Sequence, residues 1–133
     1  MTRSIPATVA LAATVTVLTL TGCATSSADS AVRDAVTARI DHDAAAGPAA
    51  VPAKYRHIDT VEPWGNGYTA LVKIDQPGHT VAWEAYGVKQ QQGRWSVVDW
   101  NTVPDSLIGH DHAACFALVG DDAGAYQACK DQP

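Results

Sequence analysis

The stretch 68-YTALVKID-75 sets Tyr68, Ala70, Val72 and Ile74 in alternation with Thr69, Leu71, Lys73 and Asp75. A period of two is the signature of a β-strand, because successive side chains leave opposite faces of the pleat. Working outward, 55-YRHIDTVEPW-64 reads as a preceding strand, joined through 64-WGNGY-68, where Asn66-Gly67 supplies the positive φ angles of a tight hairpin turn. On the other side, Gln76 to His79 (QPGH) places Pro at the second position of a turn and Gly at the third. Two more strands follow, 80-TVAWEAYGVK-89 and 94-RWSVVDWN-101, linked by the polar loop Gln90 to Gly93. Four sequential strands with short connections imply an antiparallel meander.

The last two strands carry large apolar groups on both faces: Val81 and Trp83 against Tyr86 and Val88, then Trp95 and Val97 against Val98 and Trp100. Both faces of the sheet therefore need a cover. One cover is 29-DSAVRDAVTARIDHDAA-45, where Val32, Val36 and Ile40, with Ala35, form an apolar stripe at helical spacing. Asp29 or Ser30 is expected to cap its start, and Gly47-Pro48 to lie beyond its end. The other is 111-DHAACFALVGDDAGAYQACK-130, rich in helix formers but broken by Gly120 and Gly124, which predicts one or two short helices. The fold class expected is α+β: an N-terminal amphipathic helix packed on a four-stranded antiparallel meander, with a short C-terminal helical segment.

The N-terminus has a different grammar. Arg3 is followed by a stretch free of charge from Ser4 through Ala28, dominated by Ala, Thr, Val and Leu. That is the order of a charged n-region and an h-region. Five threonines between Thr8 and Thr21, together with Pro6, make it weakly hydrophobic for a membrane-spanning helix. The run ends in Leu20-Thr21-Gly22-Cys23, which resembles the bacterial lipobox: an aliphatic residue three positions before Cys, with small residues between. The resemblance implies that the Cys23 thiol is joined to a diacylglyceryl group and that cleavage just before it removes a signal peptide of residues 1–22. Residues 23–29 are then a lipidated tether and 30–133 a single small domain. The expected location is the extracytoplasmic face of the cell membrane. At about 0.8 kcal/mol per buried methylene, two or three acyl chains form a durable anchor where one is marginal.

Cleavage would leave 111 residues, of which eight are basic and fourteen acidic, a formal charge of −6. With no basic run or stripe, nucleic acid is not an expected partner. Cys115 and Cys129 remain as an even pair in a chain addressed to an oxidising compartment, and a disulfide between them is expected. The competing use of these thiols is a metal site with His110 and His112 of 109-GHDHAAC-115, but the spacing fits no zinc pattern, and neither metal nor cofactor is expected.

A helix followed by a curved antiparallel sheet, with Trp95-Ser-Val-Val-Asp-Trp100 after a Gly turn, resembles the cystatin-like and NTF2-like α+β domains over residues 30–102. Such domains include enzymes, ligand carriers and modules without chemistry, so the likeness implies a fold and a concave sheet face, not an activity. The best acid/base set is His57, Asp59 and Glu84, with His57 and Asp59 on one face of a strand; spacing of two is common, and no residue is assigned as catalytic. Trp64, Tyr68, Trp83, Tyr86, Trp95 and Trp100 crowd one stretch of the chain. Of these Trp64, Tyr86 and Trp100 are the candidate binding residues, the rest serving to fill a small core. The function expected is a non-enzymatic binding or accessory module of the cell envelope, with a protein or glycan partner; the alternative is a small pocket-containing enzyme using His57, Asp59 and Glu84.

Overall fold

The computed structural model describes residues 24–132, so the segment containing Leu20-Thr21-Gly22-Cys23 lies outside the described residues. Among the described residues no helix is long and apolar enough to cross a membrane. The chain is α+β, as the alternation and the helical stripe predict. Helix α1 (Ala24–Ala44) precedes four strands, β1 (Arg56–Trp64), β2 (Gly67–Ile74), β3 (Ala82–Gln91) and β4 (Arg94–Thr102); two short helices, α2 (Ala113–Val119) and α3 (Ala123–Lys130), follow. The strands form one sheet in the order β1-β2-β3-β4, each pair antiparallel.

Two apolar layers flank this sheet. On one face Val32, Val36 and Ile40 of α1 meet Ala70, Val72, Tyr86 and Val88. On the other, Leu71 and Ala85 meet Ala114 and Ala117 of α2, with Val103 closing the cluster. Successive residues of β2 thus serve opposite layers, which is why both sets of its alternation are largely buried. Cys115 and Cys129 are joined, tying α2 to α3.

Helix α1 is already formed at Ala24, the first described residue, so Asp29 and Ser30 lie within it and it takes in most of the segment expected to be a tether. Asp29 does not act as a cap; its carboxylate accepts a hydrogen bond from Arg33 Nε at 2.8 Å, one turn further on. Arg39 and Asp43 form a second pair of the same spacing. Each such exposed pair adds about 0.2–0.5 kcal/mol to helix stability.

The turns follow sequence chemistry with one displacement. In Gln76–His79 the amide of His79 donates to the carbonyl of Gln76 at 3.1 Å, and Gly78 takes φ +79°, the type II pattern. The first hairpin turns on Gly65-Asn66 instead of Asn66-Gly67: Trp64 pairs with Gly67, and Gly65 supplies the positive φ of +57°. Gly67 is needed for another reason, since a Cβ there would collide with the Val88 carbonyl oxygen. The last hairpin places both central residues in the left-handed region, Gln92 at φ +52° and Gly93 at +77°. A glutamine there is strained, whereas Asn tolerates the conformation. Gln92→Asn should raise the unfolding free energy by about 0.5 kcal/mol, a part of the cost of left-handed backbone; an unchanged urea midpoint would argue against strain at this turn.

Strict alternation fails in β4. Val88 pairs with Val97 but Gly87 pairs with Asp99, so Val98 is an extra residue that the partner strand does not match. Trp100, opposite Tyr86, therefore lies on the α1 side together with Trp95 and Val97. Trp95 packs edge-on against Tyr68 with ring centroids 5.4 Å apart.

Candidate functional site

Beyond β4 the chain makes a 3-10 turn at Asp105–Leu107 and crosses the open side of the sheet before entering α2. Leu107 and Ile108 pack onto the α2-side cluster. Their burial holds Gly109, His110, Asp111 and His112 above the sheet, with Gly109 at φ +85° and His112, immediately ahead of α2, at +61°. The His112 ring reaches β1, its Nδ1 3.1 Å from Glu62 Oε2. When Glu62 accepts from Nδ1–H, the neutral ring keeps Nε2 as its acceptor.

Under this contact lies a cleft of about 360 Å³, floored by Leu71, Trp83 and Ile108 and rimmed by Asp59, Thr60, Glu62, His110, Asp111 and His112. A smaller hollow of about 230 Å³ opens on the other side of the pair, beside Pro63, Gly65 and Gln132. The larger volume lies within the range of small-ligand sites, which combine an apolar floor with a few polar groups at the rim. Among the described residues no group of three or more His, Cys, Asp or Glu side chains is placed to hold a metal ion. The two thiols that could have joined His110 and His112 as ligands are bonded to each other.

The His57, Asp59 and Glu84 acid/base set does not converge. His57 pairs with Lys73, and β1 carries a bulge between Ile58 and Thr60 that leaves Asp59 on the cleft rim. Glu84 pairs with Val72, a residue of the α1-side core, and so lies on the opposite face. There it is buried, accepting hydrogen bonds from Arg56 Nη1 at 3.0 Å and from the Tyr86 hydroxyl at 2.7 Å. Burial, then the bond to Glu84, pushes the Tyr86 phenol well above its ordinary pKa. Arg56 Nε is buried with no hydrogen-bond partner among the described residues.

The aromatic candidates separate in the same way. Tyr86 has no exposed surface and is a core residue, not a recognition residue, because α1 and the Arg56–Glu84 pair enclose it. Trp64 is half-buried: its indole lies over Gly87, where a Cβ would come within 3.1 Å of the ring, and Lys89 Nζ stands 5.2 Å from its centroid. Trp100 is 45% exposed. The Glu62–His112 contact joins residues fifty positions apart, and nothing in their local sequence links them. No known protein family matches the chain, and no curated protein or solved structure shows significant similarity to it.

Proposed function

We propose that this chain is a lipid-anchored lipoprotein on the extracytoplasmic face of the cell membrane, and that it works by binding rather than by catalysis. Leu20-Thr21-Gly22-Cys23 supports the anchor. The Cys115–Cys129 bond supports export, since disulfides are rare in the reducing cytosol. The observation that bears the binding half is the cleft between β1 and the 108–112 crossing, with apolar floor and polar rim. An element order of one helix and then a four-stranded meander is in keeping with cystatin-like and NTF2-like domains, whose members include ligand carriers. The partner is an envelope protein or a glycan that reaches this cleft.

The test uses the full chain in its native envelope. Intact mass should show loss of residues 1–22, a diacylglyceryl increment on Cys23 and two hydrogens fewer than the reduced chain. Cys23→Ala should remain uncleaved or leave the membrane fraction. A photo-crosslinker at Thr60, on the cleft rim, should give a discrete adduct that the same group at Thr37, on the exposed side of α1, does not. A Cys23→Ala chain processed and retained like the parent refutes the anchor; identical adduct patterns at the two positions refute the cleft as the binding site.

A further inference from the structure

Both outer strands of a four-stranded sheet present unpaired backbone groups, and these two edges are blunted by different means. On β1 the bulge at Asp59 breaks the run of the strand, and Pro63 has no N–H to offer. On β4 five consecutive residues, Val98 to Thr102, are exposed, two of them the large apolar Val98 and Trp100. An accessible apolar edge of this kind is a template for pairing with another chain.

The backbone hydrogen bonds of β4 show what occupies that template. Asn101 and Val103 share one parity, and the amide of Val103 donates inward to the Trp83 carbonyl on the neighbouring strand segment. Trp100 and Thr102 share the other parity, so their amides point outward. Neither outward amide is free. Trp100 N–H donates to Asp99 Oδ1 at 2.8 Å, and Thr102 N–H donates to Asn101 Oδ1 at 2.9 Å. Each is held by the side chain of the residue before it. Asn101 is itself fixed from behind, its Nδ2 donating to the Ala117 carbonyl of α2 at 2.8 Å.

We infer that Asp99 and Asn101 are gatekeepers that occupy the outward amides of β4 and keep this edge from pairing with β4 of a second copy of the chain. The second copy is the occupant to guard against, because it brings the same exposed strand, and antiparallel pairing of two identical edges satisfies both at once. For a chain concentrated on a membrane surface, an open edge would be a standing risk of association.

The test compares the full chain with Asp99→Ala/Asn101→Ala, both solubilised in mild detergent, by sedimentation and by amide hydrogen exchange. The parent should be monomeric through β4. The double variant should double in mass as concentration rises, with exchange at the Trp100 and Thr102 amides slowing about tenfold in the dimer. Because Asn101 also braces α2, Asp99→Ala alone is the second variant and should show the same trend more weakly. Asp99→Asn retains the acceptor and should stay monomeric. The inference is overturned if folded variants remain monomeric at all concentrations, if they associate without slowing at those two amides, or if the parent already pairs through this edge.

Discussion

Glu84→Ala should lower the unfolding free energy by about 3–5 kcal/mol, the cost of stranding the partner of a buried ion pair. The Arg56 and Glu84 side chains are only 9% and 11% exposed. Once the carboxylate is gone, the guanidinium keeps, among the described residues, one long contact, 3.3 Å to the Tyr86 hydroxyl, and its Nε has no partner there. Tyr86→Phe removes the 2.7 Å bond but leaves the ion pair, so its loss should be about 1 kcal/mol. Arg56→Met combined with Glu84→Leu removes both charges and should come close to the parent. Urea titrations of the three variants with equal m-values decide the matter. If Glu84→Ala costs under about 1 kcal/mol, the pair is hydrated and the network does not tie β1 to β3 on the α1 face of the sheet.

The same network sets an alkaline limit. A phenol whose folded pKa is raised contributes its stability in full below the unfolded value of 10.0 and loses it as pH climbs toward the folded one. The parent should therefore weaken above about pH 10, where the unfolded Tyr86 ionises and the folded one does not. Tyr86→Phe should flatten that slope, and a slope unchanged by the substitution would assign it to other groups.

The architecture was legible because burial imposes a period on long segments. Val32, Val36 and Ile40 mark the face of α1, and Ala70, Val72 and Ile74 mark one face of β2, with no need to know what packs against them. Single-residue insertions leave no such mark. Val98 and Asp59 are bulge residues, and each reverses the facing of its strand from that point on. Trp95 and Trp100, placed on opposite faces by simple alternation, consequently share one. Register has the same effect at the site: His57, Asp59 and Glu84 form a set by residue type alone, and the pairing of three strands places Glu84 on the far side of the sheet. The Glu62–His112 contact depends on where a loop settles after the α2-side cluster forms, which is a property of packing and not of local sequence.

Replacing both Cys115 and Cys129 with Ala should remove about 3 kcal/mol, as expected for opening a loop of some fifteen residues in the chain-entropy account. The effect should not be uniform. On the α1 side the layer is built from Val, Ile and Tyr; on the α2 side it rests on Ala114 and Ala117 against Leu71 and Ala85, with far less apolar surface. Helices of seven and eight residues have little stability of their own. The C-terminal segment should thus detach at lower denaturant than the sheet and α1, giving early exchange of amides 113–130 and an early change in the fluorescence of Trp83, which packs against the α2-side cluster. A double-Ala chain that melts in a single transition at the parent's midpoint would mean that packing alone holds the segment. If the segment does loosen first, it takes with it His112 and the wall of the cleft, since His112 immediately precedes α2. Crosslinking from Thr60 should then fall in reductant while the fold of the sheet persists, making an intact cleft conditional on the Cys115–Cys129 bond.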